Sequence, residues 1–180
     1  MYGIINKALQ EMVINNHGVN TWEAVKNKAQ IEIDIFFNDE MYNDAITHRL
    51  VDALCDIASI TAAQVFYNIG EWYVVQTIGK KYAGMVQTGG KTLKDFFENL
   101  PALYGSVKRL YFPNTPSSIS ISDIEENSVL VCYHGPRPNL EEIVRGGLSG
   151  FCIVFNAQPK VTIIENKSKG DTHILYKVCW

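Results

Sequence analysis

The periodicity of the chain changes at Pro113, and this change limits what it can fold into. Before that point apolar residues recur at helical spacing. In residues 2–16, for example, Ile5, Leu9, Met12 and Val13 share one face. After it, Ile119 and Ile121 alternate with Ser118, Ser120 and Ser122, as in a half-buried strand. A polar turn, Asp123–Asn127, leads into the apolar run Ser128–Tyr133, the second arm of a hairpin. Val161–Ile164 and His173–Cys179, joined by a turn at Lys167–Asp171, read as a closing antiparallel hairpin. The expected class is α+β, with a helical N-terminal lobe and a C-terminal lobe in which a four-stranded antiparallel sheet packs on helices.

The helical part carries its own punctuation. Gly18 ends the first helix, and Asn20 or Thr21 caps a second bearing Trp22, Val25 and Ala29. Ile31–Phe37 reads as loop or strand. Asn43 or Asp44 caps a helix that turns Ile46, Leu50, Ala53, Leu54 and Ile57 inward, and Thr61 caps another from Ala62 towards Thr77. A short helix is expected near Tyr82–Val86. Thr92 caps a helix that runs through Phe96, Phe97, Leu100 and Leu103 to Tyr104, with a kink or restart at Pro101 and a free backbone at Gly105. Beyond the first hairpin, Asn139 caps a helix from Leu140 that the glycines Gly146, Gly147 and Gly150 weaken.

Composition excludes several function classes. Of the 180 residues, 47% are hydrophobic and 19% charged, which supplies a core and argues against disorder. Sixteen basic and 19 acidic residues give a net charge of −3, a poor basis for nucleic-acid binding. No apolar run is long enough for a transmembrane helix and no secretion signal opens the chain, so a cytoplasmic location is expected. Cys55, Cys132, Cys152 and Cys179 form no Cys-x-x-Cys pair and read as buried thiols in a reducing compartment. Gly89-Gly90-Lys91 lacks the spacing of a phosphate loop. Nucleophile-elbow and zinc-protease motifs are absent too, so no enzyme is expected.

The most informative local chemistry follows the Val129–Tyr133 strand. Arg137 emerges four residues beyond it, beside a core, and a guanidinium there needs an anionic partner. Arg137 either pairs with Glu141 or Glu142 or lies in water, or it joins the Tyr133 hydroxyl in gripping an anionic group on a ligand. His134 points away from Tyr133 and reads as solvent-facing.

Taken in order, several stretches resemble the H-NOX (haem nitric oxide/oxygen binding) domains, among them the sensor domain of soluble guanylate cyclase and its bacterial relatives. Met1–Leu9 is similar to the family's opening and Gly18–Lys26 to its second element. Phe96-Phe97-Glu98-Asn99-Leu100-Pro101-Ala102-Leu103 is similar to the run into its proximal haem ligand. Tyr133-His134-Gly135-Pro136-Arg137 lies where the family has Tyr-x-Ser-x-Arg, the clamp on the haem propionates. The resemblance implies one H-NOX-like domain over 1–180, with a helical lobe over roughly 1–60 and a pocket-bearing lobe over roughly 61–180. It places Ile5 and Tyr73 on the distal side of the pocket, and Leu103, Pro116, Leu140 and Ile143 among its lining.

Two departures alter what the resemblance implies. Tyr104 stands in the place of the proximal His, and Gly135 in that of the clamp's Ser. A phenol, with a pKa of about 10, ligates iron well only as phenolate. The favoured expectation is a haem-free sensor or binding module. Its pocket takes an apolar small molecule with an anionic head, such as a fatty acid, held by Tyr133 and Arg137. The alternatives are a haem-based NO/O2 sensor with Tyr104 as metal ligand, and a scaffold with a filled core. No effector is fused before Trp180, so output is expected through a separate signalling protein or a part outside this sequence.

Overall fold

The structure is a computed structural model that describes residues 1–111, 115–135, 140–166 and 173–180, apart from the side chains of residues 110 and 111. The residues named above at Pro113, Pro136–Asn139 and Lys167–Asp171, Arg137 among them, lie outside the described residues. The chain divides into two compact units, Met1–Ile69 and Gly70–Trp180.

The first unit is helical: α1 (Gly3–His17), α2 (Val19–Ala29), α3 (Asp44–Ala58) and the start of α4 (Ala62–Trp72). Gly18, at φ 85°, ends α1 and also serves as the N-cap of α2. The second helix therefore begins before Asn20 and Thr21, and the Thr21 hydroxyl instead donates back to the His17 carbonyl at 2.8 Å. Asn43 caps α3 by accepting from the Ala45 amide. Residues 31–37 belong to no helix or strand. Leu9, Val13, Trp22, Val25, Phe36, Leu50 and Leu54 form the core of this unit, whereas Ile57, expected inward, is exposed. Arg49 reaches the carbonyls of Ala29 and Gln30, where a cation satisfies the free end of α2.

The second unit opens on the end of α4, which continues as a π-helical segment, Tyr73–Ile78, and then α5 (Gly79–Lys81) and α6 (Ala83–Gly89). Thr61 and Gln64 bond reciprocally at the start of α4, and Thr92 and Asp95 do the same at the start of α7 (Leu93–Tyr111). Helix α7 passes through Pro101 and Gly105 and ends about two turns beyond Tyr104, so the expected restart gives way to a continuous helix. Strands β1 (Ser118–Ser122), β2 (Ser128–His134), β3 (Lys160–Glu165) and β4 (Ile174–Cys179) make a four-stranded antiparallel sheet in the order β1-β2-β4-β3. Between β2 and β3 lies α8 (Glu141–Val154), which packs on β3, β4 and the π-helical segment. This is the α+β architecture read from the sequence.

The sheet's inner face carries Val129, Val131, Tyr133, Ile174, Tyr176 and Val178, all buried against Phe96, Phe97, Leu100, Leu148 and Cys152 from α7 and α8. The Phe97 and Trp180 rings stack at 5.4 Å. Gly150, one of the glycines expected to weaken α8, is a packing device. A Cβ at Gly150 would lie 2.7 Å from Val74 Cβ, and one on Gly70 would lie 2.0 Å from the Ile143 carbonyl oxygen. Small residues let α8 approach α4 and the π-helical segment at backbone distance. Of the four thiols only Cys152 is fully buried; Cys55, Cys132 and Cys179 are half-buried.

Candidate functional site

Helix α7 and strand β1 bring the candidate site together. Because α7 continues past Pro101, Tyr104 and Lys108 fall one turn apart on one face of the helix. The segment leading into β1 crosses that face, and both side chains engage Ser117, which is buried. The Tyr104 hydroxyl lies 2.7 Å from Ser117 Oγ, and Lys108 Nζ donates to the Ser117 carbonyl at 2.7 Å. The rest of Tyr104 packs on the aromatic and aliphatic core, as does Leu103.

The sheet register links this corner to the second half of the site. Ser118 pairs with His134, so Ser117 and Gly135 flank the last pair of the β1–β2 ladder. Tyr133 points inward and is buried, paired with Ile119 on one side and Ile174 on the other. Its ring turns over Gly135: a Cβ there would lie 2.5 Å from the Tyr133 hydroxyl and 2.7 Å from two ring carbons. The end of the Tyr133 side chain thus fills the space that a side chain at position 135 would need. Deeper in, Tyr176 donates to the Glu141 carbonyl at 3.0 Å, and burial, assisted by Glu141 and Tyr133, raises its phenol well above the ordinary range.

The remaining residues named from the sequence are distributed as follows. Pro116 is exposed, immediately before buried Ser117. Tyr73 opens the π-helical segment and is half-buried. Leu140 precedes α8, and Ile143 lies in its first turn with its carbonyl against Gly70; both are half-buried. Ile5 belongs to the other unit, on α1, and is half-buried. Sequence reasoning missed Ser117 and Lys108. An i, i+4 pair on a helix carried past Pro101 was the signal available, but the expected stop at Tyr104 concealed it.

The donor set bears on haem. No His lies on α7. Within the second unit, His134 is on the outer face of the sheet with Cys132, and His173 pairs with Glu165 at 2.7 Å. Among the described residues no group of three or more His, Cys, Asp or Glu side chains is placed to hold a metal. The phenol on α7 is bonded to Ser117.

Comparisons with known proteins agree with the fold. The chain is 25% identical over 150 residues to soluble guanylate cyclase gcy-32 of Caenorhabditis elegans, covering 81% of this chain and 22% of that protein. It is 21% identical over 172 residues to soluble guanylate cyclase 89Da of Drosophila melanogaster, covering 93% and 25%. The chain thus spans about a quarter of the length of these relatives. Among solved structures, an H-NOX protein from S. oneidensis in the Fe(II)NO ligation state superposes with a TM-score of 0.80 at 18% identity, covering 99% of this chain and 98% of that one. The Fe(II) unliganded H-NOX protein from K. algicida gives 0.79 at 15% identity, covering 99% and 96%. Among the described residues no single helix is long and apolar enough to cross a membrane. The family profile described as Haem-NO-binding matches residues 2–163, and the chain belongs to that family as an H-NOX sensor domain.

Proposed function

We infer that this domain senses an apolar small molecule with an anionic head, a fatty acid being the simplest example, in an H-NOX pocket that works without His-ligated haem. The observation that carries this reading is the Tyr104–Ser117 hydrogen bond at 2.7 Å. The side chain standing in the place of the proximal ligand is a phenol tied to the protein, and no imidazole of α7 can replace it. The reading assigns the ligand's head to Tyr133 and Arg137, a charged donor beside a rigid strand hydroxyl.

In the family resemblance, iron–His bond stretching would start the signal. Here that role passes to the ligand's own contacts with α7 and the sheet. The domain itself is not catalytic, and its output goes to a signalling effector, in a separate protein or in a part outside this sequence. The guanylate cyclase relatives extend well beyond the part that this chain spans.

The test is an absorption spectrum of protein expressed with excess haem, together with mass spectrometry of whatever extracts from the fold. The expected result is no His-type Soret band and recovery of a lipid-like acid. A Soret band that survives Tyr104→Phe would overturn the reading. One that vanishes with Tyr104→Phe would instead assign phenolate-ligated haem.

A further inference from the structure

The stretch Trp72–Lys94 carries four lysines and no acidic residue, in a chain whose net charge is −3. Lys80, Lys81 and Lys91 are exposed, and Lys94 is bound to Glu126 at 3.2 Å. The acidic residues that flank the stretch serve local bonds. Glu71 accepts from the Ser149 hydroxyl on α8, and Asp95 bonds with Thr92 at the start of α7. The sequence thus concentrates positive charge on this part of the second unit.

Two large apolar side chains stand exposed beside the first pair of lysines. Tyr82 is the N-cap of α6, and its carbonyl accepts from the Met85 amide at 2.8 Å. Three residues apart, the two side chains share one side of the helix. They are 51% and 36% exposed, while Val86, the next residue along α6, is buried. Lysines at the end of α5 also complement the helix dipole, but that role asks nothing of Tyr82 and Met85.

The corner is held by its neighbours. A Cβ on Gly79 would lie 2.8 Å from Val154 Cγ2, so α5 rests closely on α8. At the other end of α6, a Cβ on Gly89 would meet Phe96 at 2.6 Å and Leu103 at 2.7 Å. The exposed side of α6 is therefore preorganised, which lowers the entropic cost of binding anything there.

Ammonium groups around a phenol and a thioether suit a membrane interface. Lysine stems cover apolar surface while their heads reach lipid phosphates, and a tyrosine ring settles at headgroup level. We propose that Lys80, Lys81, Tyr82 and Met85, with Lys91 beyond the far end of α6, dock this domain on the surface of an anionic phospholipid bilayer. Charge complementarity selects this occupant. Each lysine brought near an anionic surface raises affinity about fivefold, so three give roughly 100-fold over a neutral bilayer. The chain as a whole is negative and is repelled, so a preference for anionic lipid has to come from a local patch. Two apolar side chains on a seven-residue helix cover too little area for a stable protein interface, which takes roughly 800 Å² a side. A bilayer asks only for shallow insertion of such tips. A lipid acid of the kind inferred above partitions into the same surface, but the docking does not depend on it.

The experiment is sedimentation of the full chain with phosphatidylcholine vesicles, with and without phosphatidylglycerol, in about 0.1 M salt. Binding is expected only where phosphatidylglycerol is present. It should be lost in about 1 M salt, where the screening length falls from about 10 Å to about 3 Å. Lys80→Gln combined with Lys81→Gln should weaken binding roughly 25-fold. Lys160→Gln, on β3, should leave it unchanged. Met85→Ser should weaken binding and keep its salt dependence. All four positions are exposed, and circular dichroism checks that each variant is folded. No binding, equal binding to both kinds of vesicle, or binding that the double substitution leaves intact would overturn the proposal. So would soluble polyglutamate that outcompetes the vesicles, which would assign the surface to an acidic protein instead.

Discussion

The hydroxyls of Tyr104 and Ser117 lie 2.7 Å apart, joining the middle of α7 to the residue before β1. This bond fixes the ring at the position where the family resemblance expects a metal ligand. Tyr104→Phe and Ser117→Ala should each lower stability by about 0.5–1.5 kcal/mol, the net value of a neutral hydrogen bond. In the double variant the losses should fall short of their sum, because both remove the same interaction. Urea unfolding of the four proteins measures this; strict additivity would show that the two hydroxyls act independently.

Replacing Tyr104 with His supplies the imidazole that α7 lacks. Tyr104→His expressed with excess haem should gain a His-type Soret band that the parent does not show. A haem content equal to the parent's would mean that the loss of the cofactor lies elsewhere in the pocket.

Arg137→Met keeps much of the apolar stem and removes the charge. Affinity for a long-chain carboxylate should drop while the matching neutral alcohol still binds, since a hydrogen bond to a charged group is worth roughly 1.5–3 kcal/mol. Unchanged carboxylate affinity in a binding titration would remove Arg137 from the site.

Gly70→Ala tests the helix contact. Its new methyl would meet the Ile143 backbone oxygen at 2.0 Å, and a carbonyl in the first turn of α8 cannot swing aside as a side-chain tip can. A loss of about 1–3 kcal/mol is expected, typical of overpacking. The reading is a lower urea midpoint at an unchanged slope.

Cys152 makes the domain sensitive to alkali. Burial pushes its thiol up to about 12, against 9.0 for a free thiol. Between these values the unfolded chain gives up the proton and the native chain keeps it. The unfolded state then binds fewer protons, and stability falls as pH rises, by up to about 1.4 kcal/mol per pH unit. Unfolding free energies measured from pH 8 to 10.5 should show this slope, reduced in Cys152→Ala.

The architecture was legible because local signals agree with the packing. Asn43, Thr61 and Thr92 cap the helices that they precede, and Ile119 and Ile121 lie half-buried as their alternation requires. Four features were hidden, each for a physical reason. Pro101 reads as a breaker, yet tertiary packing carries α7 through it to Tyr111. The π-helical turn Tyr73–Ile78 has no sequence period of its own. The bulge at Ile164 reverses the face of Glu165, a one-residue effect that alternation alone cannot foresee. The Tyr104–Ser117 bond joins residues 13 apart across a segment whose path depends on the sheet. Tyr133 was named from the strand that it ends and from the resemblance, Tyr104 and Gly135 from the resemblance, and the structure supplies their neighbours; Arg137 lies outside the described residues.

The Tyr133 ring over Gly135 makes the two positions sterically dependent. A serine introduced at position 135 would enter space held by the end of the tyrosine side chain, which must swing out first. Position 104 carries no such debt to position 133, because its bond runs to Ser117. In the present sequence the residue at 104 can therefore be exchanged alone, whereas a side chain at 135 requires that Tyr133 shift with it.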